Sequence, residues 1–285
     1  MSTILTYIHT VDEAENLICY AAELARDMKM SVDILYTAEI QTYPTGIQPS
    51  SMPHMEYTHE QVESILADAE SEIARQIERV NKKIKNPPQI RYFTKQGISN
   101  HVIEEFTSKS KYDFVVLAAS PDNDFLINDR NMDIIKLMDR PVWIIPEDAT
   151  YKQLKSIVYA TDYNEEDVET MRKITGFAEK TSAKITALHV NDNLDFEEKV
   201  KNKGFTDILI EKVGYRNLEV SSMVQKDNTG LSDTIIDFSK LVHADLIVIL
   251  KENKGFFEKL FASSNTKMIM NKTEIPVLIF QQKKS

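Results

Sequence analysis

The side chains best suited to chemistry are few, and the first group is Met52, His54, Met55 and His59. Thioether sulfur and imidazole nitrogen so close together are soft donors of the kind that hold copper or zinc. Methionines in a loop also suit packing over a neighbouring domain, so the cluster carries two readings and no metal is assigned to it. Cys19 is the one cysteine; it lies at the margin of a helix's apolar face, has no base near it in sequence, and reads as a small buried residue. A single thiol excludes an intramolecular disulfide and suits a reducing cytoplasm. The chain holds no Gly-x-Ser-x-Gly elbow, no Walker loop and no dinucleotide fingerprint, so the common nucleophile and phosphate-binding signatures are missing. Phe256, Phe257 and Phe261 crowd a segment of a kind that normally meets solvent. They fit packing into a vacant space or against the first half of the chain or, as a sharper reading, a small apolar ligand beneath them.

The elements that must position these residues are stated twice. Residues 244–250 form an apolar run with an acidic start, and about thirty positions later Pro276-Val277 opens a second run through Phe280. Residues 112–118 and the run opened by Pro141-Val142 repeat that arrangement. Continuous Val/Ile/Leu runs are what strands need when helices cover both faces of a parallel sheet. Proline at the start of the closing run suits an edge strand, where a missing N–H leaves no gap in the ladder. The other ends of the copies agree: residues 2–9 correspond to 155–162, and residues 31–36 to 183–190. A period of roughly 150 residues is a domain duplication and not a solenoid repeat.

The whole chain is compatible with that division, because 285 residues suffice for two domains with a core each. A composition of 42% hydrophobic and 27% charged residues is that of a globular chain. No apolar run approaches the roughly 20 residues of a membrane span, and the N-terminus enters a strand without a signal-peptide pattern. A net charge of −10 argues against non-specific nucleic-acid binding, which rests on phosphate neutralisation. It leaves room for an anion held locally by backbone N–H groups.

In chain order, Asp12 or Glu13 opens a helix with Leu17, Ile18, Ala21, Leu24, Ala25 and Met28 at helical spacing. A long loop over 41–57 precedes a helix from His59 to about Ile84, with Val62, Ile65, Leu66, Ile73, Ile77 and Val80 inward. A strand over 89–93, a turn at Gly97, a helix over 100–108, a strand over 113–119 and a short helix near 128–138 complete the first copy before the linker at 147–153. In the second copy a helix begins at Asn164 or Glu165. The next crossover, 191–214, reads as broken by Gly204; a strand over 218–224 and a helix over 231–242 follow. Strand and helix alternating twice over imply a parallel α/β sheet in each half.

Each half resembles a universal stress protein domain, and the whole looks like a tandem member of that family. The residues that carry the resemblance are 157–162, Leu188-His189-Val190, 244–248 and 276–279. The resemblance implies two flavodoxin-like (adenine nucleotide alpha hydrolase-like) domains, 1–147 and 153–285, each a five-stranded parallel sheet flanked by helices. It also implies a pseudo-dimer of the two halves about their fifth strands. In nucleotide-binding members a Gly-x-x-Gly, nine residues and a Gly-Ser or Gly-Thr follow strand four, glycine letting backbone approach phosphate at a helix N-terminus. On that pattern Asp162 matches the aspartate that contacts the sugar, and Ala160, Thr161 and Val190 match positions lining the base pocket. The first two glycines fall on Leu250 and Asn253, and the Gly-Ser pair on Ser263-Ser264, with Asn265 and Thr266 next. Every glycine is therefore replaced, and the Leu250 side chain stands where backbone would approach phosphate. Ser264 and Thr266 retain phosphate-binding groups, yet Ser and Thr are equally ordinary N-caps. The first half departs further: His9 replaces the aspartate, Ala118 and Pro121 the first glycines, and Asn128-Asp129 the last pair.

The expectation is a non-catalytic stress-response or signalling module in the cytoplasm, acting through protein contacts, with at most weak ATP binding in the second domain. A homodimer is left open; nucleic acid and membrane are not expected as partners. The alternatives are an enzyme of slow ATP hydrolysis or phosphotransfer, and a carrier of a small apolar ligand. Against the enzyme stand the lack of a phosphate-loop lysine and of a general base beside Asp162.

Overall fold

In the computed structural model, residues 2–39, 59–119, 133–191, 193, 195–225, 230–251 and 273–281 are described. The chain divides into two compact units, Met1–Asp113 and Phe114–Ser285.

In the first unit, β1 (Thr3–Ile8), β2 (Ser31–Ala38) and β3 (Ile90–Gln96) pair in parallel in the order β3-β2-β1. β1 and β2 are buried almost throughout, as their unalternating sequences require of strands covered on both faces. Between them runs α1 (Ala14–Met28), and Leu17, Ile18, Ala21, Leu24, Ala25 and Met28 are all buried. It stops because Lys29 turns left-handed, which lets Met30 N–H reach Ala25 O at 2.8 Å and closes the last turn. α2 (His59–Lys83) buries Val62, Ile73 and Val80, whereas Ile65, Leu66 and Ile77 are half-buried. Gln76, which no apolar periodicity selects, is buried with them and donates its amide to Val11 O at 2.7 Å. At Gly97 the chain turns from β3 into α3 (Ser99–Lys109) with φ 144°, a value that side chains avoid. Asp33 is buried on β2 and meets the Arg91 guanidinium with both oxygens, at 2.8 and 2.7 Å; Tyr112 OH donates to it at 2.9 Å.

The second unit contains β4 (Phe114–Ala118), β5 (Val142–Ile145), β6 (Ser156–Ala160), β7 (Lys184–Asn191), β8 (Leu218–Val224), β9 (Leu246–Lys251) and β10 (Val277–Gln281). Their order is β4-β5-β10-β9-β6-β7-β8. Every pairing is parallel except β5 with β10, where Val277 faces Ile144, Leu278 faces Trp143 and Ile279 faces Val142. Residues 156–281 thus make a five-stranded parallel sheet with α4 (Glu165–Thr181), α5 (Phe196–Lys212) and α6 (Leu231–Leu241) in its crossovers, the flavodoxin-like α/β class expected. Phe114 on β4, Trp143 on β5 and the half-buried Phe177 of α4 form an aromatic cluster in this unit, with ring centroids 5.3 to 6.5 Å apart. No described helix is long and apolar enough to cross a membrane.

Two expectations are corrected here. Pro141 and Pro276 do not mark edge strands, since β5 and β10 pair with each other. Each proline sits just before its strand, and its carbonyl is what the ladder uses: Val115 N–H donates to Pro141 O at 3.0 Å and Ile247 N–H to Pro276 O at 2.9 Å. Nor does Gly204 break the crossover helix, because α5 runs through it from Phe196 to Lys212. A glycine inside a helix costs about 1 kcal/mol relative to alanine, which the Asp195 cap and the burial of Phe205 and Leu209 offset. Within the second unit β4 pairs with β5 and β5 with β10.

Candidate functional site

In open α/β sheets the crevice lies at the carboxyl ends of the strands, where successive connections leave in opposite directions. In the second unit that point is between β6 and β9, because the chain steps from β6 to β7 and β8 on one side and then crosses to β9 on the other. Ala160 ends β6 in register with Leu188 and Ile249, so it stands between the ends of β7 and β9, where Val190 and Leu250 lie. Ala160, Thr161, Val190 and Leu250 are thereby brought together, and each is 2% exposed or less. Asp162 follows at the rim, half-buried. Asn253, Ser263, Ser264, Asn265 and Thr266 lie outside the described residues, as do Phe256, Phe257 and Phe261.

What holds the β6 end in place is a carboxylate that the acidic run Glu165-Glu166-Asp167 conceals in sequence. Asp167 is fully buried and accepts from Tyr159 OH, from Thr161 Oγ1 at 2.6 Å and from Asn164 N–H at 3.0 Å. Asn164 and Asp167 are related as N-cap and N3 of α4, and the reach back from N3 is half of a capping box. The spacing Asn-x-x-Asp at a helix start was the available signal. Burial raises the Asp167 pKa above the usual carboxylate range; its three donors pull it back, and neighbouring Asp162 adds to the rise. The Thr161 hydroxyl is therefore engaged within the protein, donating to Asp167 and accepting from Tyr163 N–H at 3.1 Å.

Around the same strand ends sits a polar and aromatic cluster. Tyr163, left-handed at φ 65°, stacks on His189 with centroids 4.2 Å apart and planes at 25°. Its hydroxyl meets Ser222 Oγ at 2.9 Å and accepts from Asn202 at 3.2 Å. His189 Nδ1 lies 2.8 Å from Thr161 O, which makes Nδ1 the donor and turns Nε2 toward Glu198 Oε1, 3.7 Å away. Glu198 is buried at 3% exposure, and its other oxygen accepts from Asn191 Nδ2 at 2.8 Å. These contacts tie β6, β7, β8 and α5 together.

In the first unit His9, half-buried, packs edge-on against Tyr7 at 4.7 Å, and the Tyr7 hydroxyl joins Thr37 and Ser99 in a buried triangle of 2.6, 2.6 and 2.8 Å. In the second, Ala118 closes β4, half-buried. Pro121, Asn128 and Asp129 lie outside the described residues, and so do Met52, His54 and Met55; His59 begins α2 and is 3.3 Å from Glu63. Among the described residues no cluster of His, Cys, Asp and Glu could hold a metal ion. Cys19 is half-buried, and burial raises its pKa.

Residues 153–281 match the Universal stress protein family. The matched stretch contains β6 to β10 and every site residue described above on β6, β7 and β9. No curated protein matches the sequence. Among solved structures, a universal stress protein from Archaeoglobus fulgidus DSM 4304 superposes with a TM-score of 0.68 at 12% identity, covering 99% of this chain and 97% of that one. A functionally unknown protein from Pseudomonas aeruginosa PAO1 gives 0.61 at 13% identity, over 99% and 92% of the two chains. A universal stress protein from Pseudomonas aeruginosa UCBPP-PA14 gives 0.59 at 14%, over 99% and 93%. At such identities the likeness is one of fold.

Proposed function

We propose that this chain is a non-catalytic stress-response or signalling module of the universal stress protein type, built from tandem domains at 1–147 and 153–285. In this reading it acts through protein contacts in the cytoplasm and binds adenine nucleotide weakly if at all, in the second domain only. The observation that carries the reading is the occupation of the strand-end crevice by the chain's own groups. Ala160, Val190 and Leu250 are 2% exposed, and the Thr161 hydroxyl is engaged with Asp167. A nucleotide arriving there would have to displace side chains and reopen buried hydrogen bonds, each worth roughly 0.5–1.5 kcal/mol net. Asp167 supports positioning over proton transfer, because it is buried and already engaged by three donors.

Titration calorimetry with ATP tests this: the expected outcome is a dissociation constant of about a millimolar or weaker, some 4 kcal/mol of binding. A tight, stoichiometric site would overturn it, as would weak binding that His9→Ala abolishes and Asp162→Ala leaves intact. Leu250→Gly should strengthen ATP binding if side-chain bulk closes the crevice, at a stability cost of about 3–5 kcal/mol for an emptied core position with a flexible backbone. A folded Leu250→Gly protein with unchanged affinity would remove steric closure as the reason.

A further inference from the structure

α5 carries apolar side chains on two faces. Its inner face buries Phe205 and Leu209, while Phe196, Val200 and Ile208 stand exposed at 82%, 54% and 41%, and Ile210, off their line, at 64%. Phe196, Val200, Gly204 and Ile208 follow one another at four-residue steps, so they form a single ridge slanting across the helix with a notch at the glycine. Among the described residues Gly204 answers no need within its own unit, because the helix continues through it and a Cβ there would meet none of them within 4 Å. Gly176 in α4 is equally unobstructed, but its four-residue neighbours are Arg172 and Lys180, so no apolar ridge passes through it. Charges flank the α5 ridge symmetrically: Lys201, 2.7 Å from Glu197, on one side, and Asp207, 3.7 Å from Lys203, on the other.

We infer that the exposed ridge of α5 is a homodimer interface, covered by the same ridge of a second copy that crosses it at Gly204. Ridges of four-residue steps lie side by side when two helix axes cross at about −50°. A missing side chain at the crossing point lets the backbones approach closely, as small residues do at other helix crossings. With the two-fold axis along the ridge, Val200 meets Val200 of the second copy and Ile208 meets Ile208. The same operation sets Lys201 opposite Asp207 of the second copy, and the reverse, because the two residues lie three positions either side of Gly204 on opposite flanks. A two-fold interface must be self-complementary, and this arrangement of charge and apolar surface meets that condition. An interface of one helix per subunit falls at the small end of specific contacts, so the association is of micromolar strength.

Sedimentation equilibrium of the full chain tests the inference. Across loading concentrations of about 1 to 200 μM the average mass should climb from one chain, 32.7 kDa, toward two. Gly204→Leu and Val200→Asp should each weaken association tenfold or more. Lys201→Asp should weaken it, and adding Asp207→Lys should restore it. Gly204→Ala separates interface from fold: it should raise the melting temperature, as a better helix former, while weakening association, whereas Gly176→Ala should raise the melting temperature alone. A wild-type chain that stays at one-chain mass throughout overturns the inference, which is also the outcome if another segment of this chain covers the ridge. A dimer indifferent to Gly204→Leu and to the Lys201 and Asp207 reversals overturns it as well.

Discussion

Asp167 shows how a single carboxyl can set the geometry of a candidate site without entering it. It gathers Tyr159, Thr161 and the Asn164 N–H around the end of β6, and so fixes where Asp162 and Tyr163 begin. Its pKa is raised by burial, so between the unfolded value near 3.9 and the raised folded value the native chain retains a proton that the unfolded chain has lost. The stability it contributes is therefore greatest on the acid side and falls as pH rises through that window. Asp167→Asn abolishes this titration and leaves a buried donor poorly matched, at a cost of about 1–3 kcal/mol. Urea unfolding at a series of pH values should show the gap between wild type and variant narrowing as pH rises through the window. A gap that widens instead would mean the Asp167 pKa is lowered in the fold. The sequence concealed this residue because an acidic triplet at a helix start is ordinarily solvated, and only its offset from Asn164 distinguishes it.

At the scale of elements, β2, β3 and α3 are held by contacts whose cost can be measured one at a time. Tyr112 OH is held well above the usual phenol range by burial and by the Asp33 carboxylate that accepts from it. Its contribution is present below the unfolded value of about 10 and lost as pH rises beyond it. Tyr112→Phe should cost on the order of 1 kcal/mol at neutral pH and flatten the alkaline side of the stability profile. Arg91→Ala leaves Asp33 buried without its cation; because the arginine side chain is 57% exposed, about 2–3 kcal/mol is expected, below the range for a fully buried pair. Gly97→Ala should destabilise more sharply than its size suggests, since φ 144° disfavours any side chain and its Cβ would approach Val102 Cγ2 to 2.9 Å. Chemical denaturation of each variant gives these differences directly. Strands and helices of this kind were legible because β4 and β9 open on unbroken apolar runs and α1 keeps a strict helical period. Gly204 misled because glycine is a turn signal only where the helix lacks other support, and Gln76 was missed because its burial depends on a carbonyl, Val11 O, distant in sequence.

For the molecule as a whole, the informative pairing is the one that local sequence encodes least. Apolar runs opened by Pro-Val mark β5 and β10 as strands, but no periodicity says that they face each other antiparallel; that follows from two open edges of similar apolar character meeting. The single tryptophan, Trp143, sits at this junction opposite Leu278 and is fully buried. Its fluorescence is therefore a reporter of the second unit, and Trp143→Ala should cost about 3–5 kcal/mol. Deleting residues 277–285 strips the partner from both β5 and β9 and exposes two apolar edges. The expected result is a protein that aggregates on expression, read as loss from the clarified lysate; a well-folded, monodisperse truncation would show that β10 is dispensable.

The position of β10 also sets a schedule. A ribosome delivers the described strands in order, so β5 and β9 must wait with unpaired edges until the final strand has left the exit tunnel. At about 5–20 residues per second, the roughly 136 residues from the end of β5 to the end of β10 leave the β5 edge open for roughly 7 to 27 seconds. Nascent chains are thus held longest in the state most prone to pair with one another, and a factor that binds extended apolar backbone would act on this chain mainly during that interval.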